Sequence, residues 1–469
     1  MRKLCARISE SALQYFSNIA ITDTRIMLTY EQLMREVSRY RLNIRPYVER
    51  FESDKIVAVY LQPSVEAIIS QIAILYEGAT VLPLDSQTPL SCYNLNRFEN
   101  IACVITCGEL SNCAFPVLQM PILGKKSTRG TIQSCLSLPD GSIHTHCIMT
   151  SGSTGEPKAV TLKQDAILNQ IDAKINLLSI NKDSRLCISL NLSFVASIWQ
   201  VFASLFQGGT IIMLDNVIKA SPYDTFKTAI ANKASIMCVT PSVFRAFSAI
   251  NRGTRKISIA SLQSLILTGE LLHSDLIKTL RQETDIDIIN AYGQTETADD
   301  TFHYRMPKGF DFEKHPVVPI GLPIPNISSE IRDGELCLKG MFQDNDSSFF
   351  HTGDSVSFCD ELNAFITNGR KDFQIKFNGF RINPEAVEIC CASIDGVADA
   401  ILNKVETGAT SYLQLKFTLA TEASVTEKHI REVLTNGLPS YMVPRDIIHV
   451  SEIEYNSNGK KKRETKKID

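Results

Sequence analysis

Short runs of aliphatic and β-branched residues alternate with longer amphipathic stretches through the first 370 positions. KIVAVYL (55–61) precedes SVEAIISQIAILYEG, SIMCVT (235–240) precedes PSVFRAFSAI, and SLILTG (264–269) precedes ELLHSDLIKTLRQ. A strand buried on both faces needs no polar alternation, so this pattern predicts helices packed on mostly parallel sheets. DIIN (287–290) runs into a glycine-containing turn, and HTHC (144–147) reads as a strand rather than a cluster of ligands. No internal repeat or low-complexity linker interrupts the alternation.

Near residue 370 the pattern changes. FQIKF (373–377) is strand-like, and Asn383 with Pro384 opens a helix through NPEAVEICCA as cap and first-turn residue. YLQLKFT (412–418) alternates like a half-exposed strand. Ser424 and Glu427 have the spacing of a capping box before a helix that Gly437 ends. The expected organisation is a large α/β domain over 1–371 and a small α+β domain over 372–469.

Composition narrows the class. The chain of 469 residues is 44% hydrophobic, enough for large cores, and its formal net charge of −3 gives no pull toward nucleic acid or anionic membrane. The most apolar stretch, Val65 to Leu84, is broken by Glu66, Gln71 and Glu77, which argues against a membrane span. The first residues lack the apolar core of a signal peptide, and thirteen cysteines then point to free thiols in a cytoplasmic protein. Cys103, Cys107 and Cys113 lack zinc-ligand spacing.

Candidate chemistry begins with MTSGSTGEPKAV (149–160). Two glycines, hydroxyl residues and Lys158 follow an apolar approach, a composition that wraps backbone N–H groups around phosphate oxygens. The spacing differs from G-x-x-x-x-G-K-[ST], so this is a phosphate loop of another kind. NAYGQTET (290–297), HTGD (351–354) and NGRKD (368–372) sit where strands should end, the usual place for ligands in open α/β sheets.

In this order these clusters resemble the adenylate-forming superfamily: acyl-CoA synthetases, luciferases and amino-acid adenylation domains of nonribosomal peptide synthetases. LTYEQL (28–33), EGATVLPLD (77–85), TSGSTGEPK, NAYGQTE, HTGD, GRKDFQIKFNGFRI (369–382), LPSYMVP (438–444) and NGK (458–460) carry the resemblance over nearly the whole chain. It implies attack of a carboxylate on the α-phosphorus of ATP, release of pyrophosphate, and displacement of AMP by a thiol. It also implies the roles that follow. Thr150, Ser151, Gly152, Ser153, Thr154, Gly155 and Lys158 would hold the β- and γ-phosphates. Thr295 would touch the α-phosphate and Glu296 would carry Mg²⁺. Gly269, Glu270, Asn290, Ala291 and Tyr292 would frame the adenine, and Asp354 the ribose, with Arg370 beside it. Lys460 would bridge the reacting anions, with Lys461 and Lys462 solvated, and Asp372 would be the hinge of the small domain. Lys376 to Gly379 would face the arm that brings the thiol. Ala159 departs from the glycine usual after the loop lysine, which removes no ligand.

LSFVASIWQ (192–200) bears on the acid. Domains for α-amino acids read F-D-x-S here, the aspartate pairing with the α-ammonium; Val195 takes its place. A buried ammonium without a counter-ion costs about 3–5 kcal/mol. The resemblance places Val195, Ala196, Trp199, Ser242, Ile266, Thr268, Ala291, Asp299 and Asp300 around the acid, a set similar to β-alanine-activating domains. Asp300 is the expected partner of a displaced amine, and the acceptor would be a carrier protein in trans or CoA. An α-hydroxy, α-keto or aryl acid ligase also accounts for Val195, and a non-catalytic AMP-binding assembly protein is the alternative from another class.

Overall fold

The computed structural model describes residues 4–110, 113–123, 143–151, 157–253, 256–343, 348–371, 374–407, 410–420, 424–454, 461 and 466–468. Among them, the largest sheet has nine strands. Its parallel interior runs from Asp287–Gln294 through Ser264–Thr268, Ile236–Val239, Arg185–Ile188 and Thr210–Met213 to Ile19–Thr22. Antiparallel strands close both edges: Asp299–Arg305 and Leu322–Pro323 on one side, Met27–Thr29 on the other.

A second sheet of six strands contains Ile56–Leu61 between Ile101–Thr106 and Thr80–Asp85. It ends in an antiparallel hairpin of His144–Ser151 and Pro157–Lys163. Thr150, Ser151 and Lys158 of the phosphate-loop sequence lie on these two strands. His146 is a strand residue buried edge-on against Phe202, and burial holds its pKa down at about 3, so it is neutral. Cys103 lies in the buried strand Ile101–Thr106.

The charges that break the apolar stretch are paired where they are buried. Ser64 caps the fully buried helix Val65–Tyr76. Glu66 meets Arg25 at 2.8 Å, while Glu77, just past the helix, meets Arg41 at 2.7 Å and Arg45 at 3.1 Å. A buried carboxylate without such a partner would cost several kcal/mol, which is why each has one. No helix among the described residues is long and apolar enough to cross a membrane.

Four antiparallel strands from Ile327–Arg332 to Ala364–Arg370 lead toward the small domain. There the hairpin Ile375–Phe377/Phe380–Ile382 precedes the helix Pro384–Ala392, capped by Asn383 with Pro384 in its first turn. That helix and Glu427–Gly437 cover a sheet centred on Val397–Thr407 and Thr410–Leu419. Leu402, Leu415, Phe417, Ile430 and Leu434 belong to its separate core. The expected Ser424 and Glu427 box does not form. The helix starts at Glu427, so Thr426 is the cap and accepts from the His429 N–H, which leaves Glu427 in the first turn.

Candidate active site

Two cavities open at the carboxyl ends of the parallel strands, where side chains leave the sheet and backbone groups are no longer paired. The larger, about 1120 Å³, is lined by Gly269, Glu270, Asn290, Ala291, Tyr292, Asp354 and Arg370, the residues expected around adenine and ribose. Asp354 is the hub. The Tyr292 hydroxyl donates to its Oδ2 at 2.6 Å and the Gln294 amide at 2.7 Å. Arg370 reaches Oδ1 at 3.3 Å, and Lys376 of the small domain lies 3.8 Å from it. Burial, then the Asp354 charge, pushes the Tyr292 pKa well up and keeps it a donor.

Glu270 joins the two domains. Its carboxylate accepts from the Ser242 N–H and hydroxyl on one oxygen and from the Gly379 N–H, at 3.1 Å, on the other. Gly379 has φ +82, and a side chain there would press on Thr240 at 2.8 Å, so glycine is what lets the small-domain hairpin reach the sheet.

The second cavity, about 440 Å³, is lined by Thr150, Val195, Ala196, Thr268, Thr295, Glu296, Asp299 and Asp300. The small domain closes it with Phe380, which stacks on Tyr441 at 3.7 Å and tilts against Phe194 at 4.3 Å. Asn378, Gly379, Leu438 and Pro439 line the same space.

Four residues expected around the acid are placed elsewhere. Ser242 and Ala291 line the larger cavity, Ser242 drawn there by Glu270. Ile266 is two residues before Thr268 on the same strand face, beneath the cavity rather than on it. Trp199, one helical turn beyond Val195, is in the core. Asp300 is on the cavity wall, but both its oxygens are engaged. Lys174 Nζ sits 2.7 Å from Oδ2, and the Thr268 hydroxyl donates to Oδ1 at 2.5 Å. The ammonium of Lys174 is fully buried, 5.0 Å above the Trp199 ring. Burial disfavours that charge, yet Asp300 and Asp299 outweigh it and hold the Lys174 pKa above the ordinary lysine value. Asp299 is 5% exposed, and its Oδ2 meets no hydrogen-bond donor among the described residues.

Sequence reasoning missed four contributors. Lys174 was legible in part: it shares a helix stripe with the buried Ile167, Ile171 and Leu178, and a lysine there calls for a partner. Gln294 sits inside a quoted motif without an expected role. Arg381 contacts Glu296 at 3.2 Å, and Phe380 roofs the acid cavity. Lys461, expected in solvent, is tied to Asp399 at 2.6 Å and to Glu388 at 3.4 Å. Ser151 ends a strand of the hairpin, and Lys158 is exposed on the next strand. Gly152, Ser153, Thr154, Gly155, Asp372, Lys460 and Lys462 lie outside the described residues.

Residues 144–341 match the family described as AMP-binding enzyme. That match covers less than half of the chain, and the fold is that of a nonribosomal-synthetase adenylation domain; the two support an adenylate-forming ligase, a class that uses ATP. Zwittermicin A synthase ZmaJ of Bacillus cereus is 25% identical over 96% of the chain and 92% of its own length. Tyrocidine synthase 3 of Brevibacillus parabrevis is 26% identical over 92% of the chain, which spans only 7% of that protein. NpsA-ThdA, an artificially fused adenylation-PCP di-domain from Klebsiella oxytoca, shares the fold with a TM-score of 0.78 at 19% identity, covering 95% of this chain and 93% of the other.

Proposed function

We propose that this enzyme activates a β-amino acid, β-alanine first among them, and loads it on the phosphopantetheine thiol of a separate carrier protein in the cytoplasm. The carboxylate oxygen attacks the α-phosphorus of ATP, the bond to the β-phosphate oxygen breaks, and pyrophosphate leaves. The thiol gives up its proton to solvent, its sulfur adds to the acyl carbon, and AMP leaves with the electron pair of the broken C–O bond. Lys460 neutralises the two anions as they meet, Thr295 donates to the α-phosphate, and residues 152–155 with Thr150, Ser151 and Lys158 hold the outer phosphates. Glu296 is a hard oxygen donor on the cavity wall and suits Mg²⁺, which would offset phosphate charge there. Asp354 would accept from the ribose hydroxyls, and movement about Asp372 would exchange Lys460 for the thiol route.

One observation carries the choice of acid. Val195 stands where α-amino-acid domains carry the aspartate that pairs with the α-ammonium, while Asp299 and Asp300 line the same cavity with one buried ammonium, Lys174, bonded to Asp300. That leaves room for one positive charge set back from the reacting carboxylate, as in a β-amino acid. The fused adenylation-PCP neighbour supports a carrier protein as acceptor, with CoA as the alternative thiol. In ATP–pyrophosphate exchange β-alanine should exceed L- and D-alanine by about a hundredfold or more in kcat/KM. Exchange led by an α-amino, aryl or α-hydroxy acid would overturn the choice.

The contact of Arg381 with Glu296 gives a second test. It joins the small-domain hairpin to the proposed metal carboxylate, and we assign it to the pose of thiol transfer, since Mg²⁺ at Glu296 would compete with it. Arg381→Ala should slow thioester formation from preformed adenylate by about tenfold and leave exchange within about twofold. Equal loss in both steps would show that the contact serves neither pose selectively.

A further inference from the structure

We infer that Asp299 receives the ammonium of the acid, and that Lys174 is a specificity-determining residue that reserves Asp300 and so sets the number of charges the pocket accepts. The inference rests on the amine-bearing acid proposed above and concerns which side chains select it.

Both oxygens of Asp300 are spoken for, one by Lys174 and one by Thr268. Lys174 is fully buried on a helix between the floor and Trp199, so its charge has no route to solvent and Asp300 is neutralised before any ligand arrives. A ligand ammonium at Asp300 would meet a cation 2.7 Å from the same carboxylate. Repulsion at that range in a low-dielectric site disfavours it.

Asp299 differs on each count. It lines the same cavity, it is buried, and its Oδ2 has no donor among the described residues. Its backbone has φ +105, a conformation that a residue with a side chain adopts only under constraint. Burial, then the adjacent Asp300 charge, raises its pKa well above the usual carboxylate range. An arriving ammonium supplies the missing counter-charge, draws the carboxylate into its ionised form and satisfies the free oxygen. A neutral acid does neither.

The test is the ratio of kcat/KM for β-alanine to that for propionate, measured by ATP–pyrophosphate exchange. Asp299→Asn should lower the ratio about a hundredfold with propionate exchange retained, which also reports an intact fold. Lys174→Met exposes Asp300 as a second unmatched carboxylate and should raise the ratio. Adding Asp300→Asn to Lys174→Met restores a single negative charge and should return the ratio to within about threefold of wild type. The inference is overturned if Asp299→Asn leaves the ratio unchanged, or if the Lys174→Met/Asp300→Asn pair collapses it, which would make Asp300 the amine site. A wild-type enzyme that prefers propionate overturns the proposed substrate, and this inference with it.

Discussion

Replacing Lys460 with alanine is expected to lower ATP–pyrophosphate exchange by about a thousandfold, while thioester formation from synthetic acyl-adenylate stays within about threefold. In the first half-reaction a carboxylate approaches an α-phosphate that already bears negative charge. A single ammonium between them stabilises the transition state more than either reactant, so its loss lowers kcat. In the second half-reaction the thiol meets a neutral acyl carbon, and AMP leaves with charge already held by the nucleotide side. The small-domain hairpin Ile375–Ile382 meets the large domain through Gly379 and Arg381, while Lys461, beside Lys460 in sequence, is anchored to Asp399 and Glu388 within the small domain. Equal loss of both half-reactions would contradict the separation of tasks between two poses.

The second large effect is expected from a single methyl group. The strands Asp287–Gln294 and Asp299–Arg305 pair with a register shift between Tyr292 and Gly293. That irregularity brings the Asp299 carbonyl so close that a Cβ on Gly293 would lie 1.9 Å from it. Backbone rather than a flexible side chain is in the way, so Gly293→Ala must displace the turn that carries Thr295, Glu296 and Asp299. Exchange should fall by about a hundredfold or more and thermal stability by several degrees, on the order of the cost of a strained core substitution. Wild-type exchange in this variant would mean that the turn does not set the geometry of the acid cavity.

The sequence signals that succeeded are local. Strand–helix alternation reflects burial of each segment, and Asn383-Pro384 carries its own capping chemistry. NAYGQTE and HTGD are each contained within a few positions, and residues of both line the two cavities. What stayed hidden depends on pairs far apart in the chain. Lys174 and Asp300 are 126 residues apart and Arg381 and Glu296 are 85 apart. No periodicity or spacing joins such partners. The aspartate pair was legible as a polar anomaly near the pocket, but not that Lys174 would claim one of the two. The helix start at Glu427 went to Thr426 because two competing hydroxyl residues precede it, and only backbone geometry decides between them.

The measurement that bears most directly on the account is a competition. The enzyme is mixed with ATP, Mg²⁺ and equal concentrations of β-alanine, L-alanine and propionate, and the acyl-adenylate formed is identified by mass spectrometry before and after adding a phosphopantetheinylated carrier protein. The account predicts β-alanyl-adenylate as the main product, with its acyl group then recovered as a thioester on the carrier. Propionyl- or L-alanyl-adenylate as the main product would contradict it.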